Sequence, residues 1–578
     1  MSPVTQDLEA IAVSSVELAV PTLGRAKGLC YDGNTCQYLG IPFATIPGRF
    51  RRPRSAPTPW PDHVLDATTL GPYCPQPPRD FYPIPVPPQR PWAAAAPSTS
   101  STECLNLNIS VPFPPQDPRL KGLPVMVFFH GGAFAYAAGS AAIYDGRVLA
   151  DVSRDEAGSP AIIISLNYRL GVLGFLASKE IREYNASFGE EGVGNYGIWD
   201  QVEALRWVKQ HISAFGGDPD RITAFGQSAG GVSVNAHILR DEPLFSGAIL
   251  QSGLLPLCGI MSESEYQVLY EKMLQTLGCP MELSPQDRLT YLLNVSEEDL
   301  IAAMVPVFIA PVITMALCDD GVLIPGKMPS WSDFNSVKAP SWCPRVMVGD
   351  AANECIIWNK AFRHHDGASV TKLAASFFAP DQAKKILDLY SISSETPKAE
   401  VFDKIEKMTT DAILAPNYDF MRANPHCYAY HFDEPSRYDN EWGGLAHHSL
   451  ENIYIWNVLR HTLPPAQQKQ AARMAALWLR FASGDSPWPA FGHEQSIMLF
   501  GGGEATLSNP SQDARRGYSR WESIRDLGGK DLIESWGEFA FQLCILKREL
   551  LDPSFEMKAM EVEPLARKVD ERQEPGVL

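Results

Sequence analysis

Between Ile222 and Leu239 the chain reads ITAFGQSAGGVSVNAHIL, and five of those residues, Gly226-Gln227-Ser228-Ala229-Gly230, form a G-x-S-x-G pattern. An apolar run precedes the pattern and a helix-forming run follows it. That context turns a small residue in a tight turn into a candidate nucleophile, because a serine on a strand-to-helix elbow is lifted clear of the sheet and set beside free helix N–H groups. A nucleophilic serine attacking a carbonyl builds negative charge on oxygen, and a second segment answers that need. In FFHGGAFAYAAGS (128–140), His130-Gly131-Gly132-Ala133 is an HGGG-type element whose last glycine is replaced by alanine. Alanine keeps its N–H, so the backbone amides of Gly132, Ala133 and Ala229 are the candidate oxyanion donors.

The serine also needs a base and an acid that orients it, in the chain order Ser, Asp or Glu, His. Asp320 in LCDDGVLIP, and Asp350 and Glu354 in VMVGDAANECIIW, all qualify by position; the last two follow a predicted strand. Nine histidines follow the elbow. His447 and His448 stand out in EWGGLAHHSLENIYIW (441–456), a glycine-containing loop from which an imidazole can reach a serine on another strand.

The elements that must carry these groups are legible as alternation. PVMVFFH (124–130), AIIISLNY (161–168), RITAFG (221–226), GAILQSG (247–253) and PRVMVGD (344–350) are short, apolar on both faces, and separated by helical stretches such as GIWDQVEALRWVKQHI (197–212). Strands of that kind form a parallel sheet covered on both sides, with ligands at its carboxyl edge. The fold class expected is therefore α/β, a large mostly parallel central sheet with helices on both faces. Residues 262–310 and 363–425 read as helical cap regions, residues 1–556 as one domain, and 557–578 as a charged tail. The proline-rich run between Cys74 and Cys104 is neither helix nor central strand; it is a surface insertion or a lid that sets Phe81, Tyr82 and Trp92 over a pocket. Trp92, Trp199 and Phe134 are candidate pocket-lining aromatics.

Composition excludes other classes of function. The formal charge of −18 leaves no basic stripe for nucleic acid. The weakly charged run Val125–Tyr144 is long enough to suggest a membrane span, but its Gly, Ala, Ser and His content reads as strand and loop, so no stable membrane insertion is expected. The eleven cysteines include no CxxC pair, so no metal and no cofactor is implied. Cys30 with Cys36, or Cys74 with Cys104, could each be a disulfide or two thiols, as compartment decides. The N-terminal residues lack a signal-peptide pattern, which makes a cytoplasmic location the expectation and a secreted one the alternative. Oligomeric state is not legible.

Beyond these single motifs, YLGIPFATIPGRFRRPRSAPTPW (38–60), GPYCPQ (71–76), STECLNLNISVP (101–112), ISLNYRLGVLGFL (164–176), GNYGIWDQVEALRWVKQHISAFGGDPDRITAFGQSAGG (194–231) and WPAF (488–491) occur in the order in which they recur in one family. The chain resembles the type-B carboxylesterase/lipase family, cholinesterase-like α/β-hydrolases, and is closest in flavour to its fungal members. The resemblance implies an α/β-hydrolase fold with Ser228, Glu354 and His448 as the catalytic triad. Glu354 is placed ahead of Asp350 and Asp320 because NEC stands where the family has DEG. His448 is placed ahead of His447 because Glu451 follows it by three residues. The resemblance also implies a Cys74–Cys104 bridge enclosing a lid. The function implied is hydrolysis of a small-molecule carboxylic ester or lactone through an acyl-enzyme, with a role in specialised metabolism. The alternatives are an acyltransferase, lactonising or dimerising enzyme on the same triad, and a non-catalytic binding protein on the same scaffold.

Overall fold

A computed structural model of the chain describes residues 13–31, 34–78, 98–240, 242–308 and 315–552. One sheet organises it. Its strands, in chain order, are β1 Val13–Val20, β2 Gly24–Tyr31, β3 Thr35–Pro42, β4 Val64–Asp66, β5 Asn106–Val111, β6 Leu123–Phe129, β7 Ile162–Leu166, β8 Gly217–Gln227, β9 Gly247–Gln251, β10 Arg345–Ala351, β11 Tyr428–Phe432, β12 Ile497–Gly501 and β13 Glu504–Ser508. Across the sheet they run β1-β2-β3-β5-β7-β6-β8-β9-β10-β11-β12-β13, with β4 beside β2. From β7 through β12 every neighbouring pair is parallel, while β1, β2, β3, β5 and β7 pair antiparallel in turn, as do β12 and β13.

The apolar runs explain the parallel block. In β6, Val125, Val127 and Phe129 join one core and Met126 and Phe128 the other; in β8, Ile222 and Ala224 face the first core and Phe225 the second. A strand that buries both faces needs helices above and below it. Helices Tyr196–His211, Ala229–Leu239, Lys398–Ala423 and Tyr518–Ile545 cover the first face, and Gly146–Asp155, Glu451–Trp456 and Pro465–Ala482 the second.

The run 125–144 is a buried strand and a loop, and no helix among the described residues is long and apolar enough to cross a membrane. The described residues of 262–310 hold three helices, Glu263–Thr276, Pro285–Asn294 and Glu297–Phe308; the second region holds Gly367–Ala374, Pro380–Leu389 and Lys398–Ala423. The central part of the 74–104 loop, with Phe81, Tyr82 and Trp92, lies outside the described residues, as does the tail 557–578. Cys30 and Cys36, partners in the β2–β3 register, are joined by a disulfide. Cys74 and Cys104 stand as two buried thiols in hydrogen-bond contact, without the bridge that the resemblance implies. Leu170 N donates to Cys74 Sγ at 3.2 Å, which anchors the loop base to the segment after β7.

Candidate active site

Strand β8 ends at Gln227, and Ser228 turns the chain into the helix Ala229–Leu239 with φ 60° and ψ −128°. An L-residue held there is strained, and such strain persists only where the surroundings hold it. They do so here through the backbone: Ser228 N donates to Gln251 O at 2.9 Å, and Ser228 O accepts from Val232 N at 2.9 Å. The flanking glycines are required by close approach. A Cβ on Gly226 would sit 2.3 Å from Gly230 O, and one on Gly230 would sit 1.9 Å from Phe129 O.

The loop after β6 packs against this elbow. A Cβ on Gly131 would lie 2.6 Å from Gln227 O and 3.0 Å from Ser228 Cβ. Gly132, Ala133 and Phe134 follow with φ of 103°, 55° and 55°. Gly132 O ties the turn by accepting from Ala135 N and Tyr136 N, both at 2.9 Å, and Ala133 O accepts from Met315 N at 2.9 Å. The amides of Gly132, Ala133 and Ala229 make no hydrogen bond among the described residues. Ala229 opens its helix, where N–H groups have no partner within the helix. Three free amides beside a serine can stabilise an oxyanion. Phe134 does not line a pocket; it is fully buried against Phe175, ring centroids 4.6 Å apart. Trp199 lies under the guanidinium groups of Arg52 and Arg240, at 3.8 and 4.3 Å.

The acid and the histidine come from two loops zipped together beyond β10 and β11. Asn353 and His447 form a parallel bridge, Asn353 N donates to Ala446 O at 2.9 Å, and His448 N donates to Asn353 O at 3.4 Å. This brings His448 Nδ1 onto Glu354 Oε2, while Glu354 Oε1 accepts from Ala351 N at 2.7 Å. Both side chains are buried. Burial alone would lower the imidazole pKa; the charge and hydrogen bond of Glu354, with the charge of Glu451, outweigh it and raise it above the ordinary histidine value.

The competing candidates are engaged elsewhere. Asp350 bonds His431 Nδ1 at 2.8 Å and Arg516 Nε at 3.1 Å; burial raises its pKa, but these two partners hold it below the usual carboxylate range. Asp320 accepts from Val322 N and Leu323 N at 3.1 and 2.9 Å and so caps a turn. His447 turns Nδ1 to His448 O at 2.9 Å, and burial pushes its pKa down to about 4.

Two neighbours, Gln227 and Ser449, escape motif reading, and a third, Glu451, enters it only through its spacing from His448. Gln227 Nε2 lies 3.1 Å from His448 Nε2, and Ser449 Oγ donates to Gln227 Oε1 at 3.1 Å. Glu451 is buried behind the pair and accepts from Ser252 Oγ at 3.4 Å. Burial first, then the charge of Glu354, pushes its carboxyl up to about 7. Only its spacing from His448 marks it in sequence. Among the described residues no group of three or more His, Cys, Asp or Glu could hold a metal ion.

The parallel sheet, the strained serine at a strand-to-helix elbow and the buried Glu–His pair beside it define an α/β-hydrolase. A model of the carboxylesterase family matches residues 15–524, and the chain belongs to that family. It is 30% identical over 526 residues to para-nitrobenzyl esterase of Bacillus subtilis (strain 168), covering 86% of this chain and 98% of that one. It is 27% identical over 509 residues to lipase 3 of Yarrowia lipolytica (strain CLIB 122 / E 150), covering 85% and 93%. A solved PNB esterase superposes with a TM-score of 0.67 at 28% identity, over 88% of this chain and 100% of that one. The protein is a type-B carboxylic ester hydrolase, a serine hydrolase acting on small-molecule esters.

Proposed function

We propose that ester hydrolysis here runs through an acyl-enzyme on Ser228, with His448 as general base and acid and Glu354 as the orienting carboxylate. The observation that carries this reading is the buried bond from His448 Nδ1 to Glu354 Oε2, which puts the imidazole in the tautomer whose Nε2 lone pair can take a proton. Ser228 Oγ attacks the ester carbonyl as its proton passes to His448 Nε2. The oxyanion is held by the amides of Gly132, Ala133 and Ala229. His448 then gives the proton to the departing alcohol oxygen, and water, deprotonated by the same nitrogen, releases the acid and regenerates Ser228. The strained φ of Ser228 supports the assignment, since strain of this kind clusters at reacting groups.

Turnover of a p-nitrophenyl ester by the Ser228→Ala protein tests it. Loss of nearly all activity with an unchanged circular dichroism spectrum is expected; retained turnover contradicts the assignment.

A further inference from the structure

His448 presents its two ring nitrogens to two different side chains. Nδ1 meets Glu354 Oε2, and Nε2 meets Gln227 Nε2 at 3.1 Å, while no hydrogen bond joins His448 to Ser228 Oγ among the described residues. Simple chemistry orders the protons along this chain. A carboxylate only accepts, so Nδ1 carries the hydrogen; Nε2 of the neutral ring is then a lone pair, and the Gln227 atom that faces it must be an amide N–H. Gln227 Oε1 consequently points the other way, to the Ser449 hydroxyl that donates to it at 3.1 Å. Gln227 is itself buried, and Gly131 closes over it: a Cβ there would lie 3.1 Å from Gln227 Oε1.

We propose that Gln227 is a positioning residue that clamps the base, its amide occupying the proton-accepting nitrogen of His448 in the free enzyme and giving that lone pair up to the Ser228 hydroxyl before attack. This rests on the assignment of Ser228 and His448 above. The Nε2 lone pair takes one donor, so the Gln227 N–H leaves it first; the Ser228 O–H bond then breaks, its electron pair goes into the new C–O bond, and the proton moves onto Nε2. The Nε2–H of the imidazolium faces the departing alcohol oxygen, and an amide N–H cannot return to that nitrogen until the proton has gone. Rotation of the Gln227 amide by a half-turn directs its N–H to Ser449, whose hydroxyl both donates and accepts and so satisfies either orientation. Gln227 and Ser449 thus form a two-state pair, one state of which holds the neutral base. A glutamate at 227 would accept only, and would favour the imidazolium in both states. The other groups facing His448, namely Glu354, Glu451 and His447, are the same in the variants below.

The test is the pH dependence of two rates in the full-length protein, p-nitrophenyl ester kcat/KM and labelling by a fluorophosphonate, for wild type, Gln227→Glu and Gln227→Met. Gln227→Glu is expected to move the acidic limb of both profiles upward by about one pH unit, because a fixed negative charge beside the ring favours its protonated form. Gln227→Met removes the donor to the neutral ring and is expected to move the limb upward by less, with kcat reduced. An amide that only packs would lower the rates equally at every pH. An unmoved limb in Gln227→Met, with wild type labelled at Ser228, overturns the clamp alone; labelling of wild type at another residue overturns the Ser228 assignment. Gln227→Glu puts a charge beside the ring whatever the amide does and so calibrates the size of a shift; Gln227→Leu replaces the methionine variant if that protein fails to fold.

Discussion

Asp350 and His431 stand opposite each other in the β10–β11 register, and their side chains meet at 2.8 Å. Arg516 closes on the same carboxylate and on Asp433, so the aspartate at the penultimate position of the strand belongs to a buried ion network. Glu354, four residues on and past the bend, is left to meet His448.

Asp350→Asn is therefore expected to lower stability and leave the chemistry intact. Removing one partner of a buried charge network costs about 3–5 kcal/mol. Urea unfolding monitored by tryptophan fluorescence checks this, alongside kcat of the folded fraction. An activity loss without a stability loss contradicts it.

Glu354→Gln should do the reverse. An amide in place of the orienting carboxylate leaves the fold in place and allows the wrong imidazole tautomer, a change worth on the order of 10⁴-fold in kcat in comparable triads. Steady-state kinetics with a p-nitrophenyl ester reads it, and a loss under about tenfold would contradict the role of Glu354.

The direction of the His448 shift fixes the pH profile. The base works only when neutral, and the nearby Glu354 and Glu451 charges raise its pKa despite burial. Wild-type kcat/KM is expected to fall on acidification through an apparent pKa above the ordinary histidine value of about 6.5. A limb below that value contradicts the reading.

Glu451 carries the matching stability signature. With its carboxyl raised to about 7, the fold keeps a proton that the unfolded chain has released, so stability is fully present below the ordinary carboxylate range and is lost as pH rises through about 7. Glu451→Gln should escape that loss. Its stability advantage over wild type, followed by thermal unfolding, should grow between about pH 5 and about pH 8 toward the order of 3 kcal/mol. A difference that does not vary with pH contradicts the assignment.

Sequence makes local features legible and leaves partnerships open. The elbow at Ser228 is readable because strand, turn and helix are contiguous, and the two-sided burial of β6, β8 and β10 is readable from their unbroken apolar runs. The pairing of Glu354 with His448 spans 94 residues, and both have a plausible neighbour, Asp350 and His447. Residue types alone leave that choice open; the family resemblance ranks it, and the geometry shows where each rival goes. Arg516 and His431, which engage Asp350, lie in segments without a chemical motif. Gln227 occupies an unspecified position of its pattern, so its contact with His448 emerges only when the two loops close on the elbow. Phe134 misleads for a related reason. It neighbours the oxyanion loop in sequence, yet φ of 55° turns it into the core against Phe175.

The central claim is the covalent intermediate on Ser228. Rapid acid quench of the wild-type enzyme with excess p-nitrophenyl ester, followed by proteolysis and mass spectrometry, should find the acyl group on the peptide that contains Ser228, and no adduct in Ser228→Ala. An acyl adduct on another residue, or turnover by Ser228→Ala, would contradict the account.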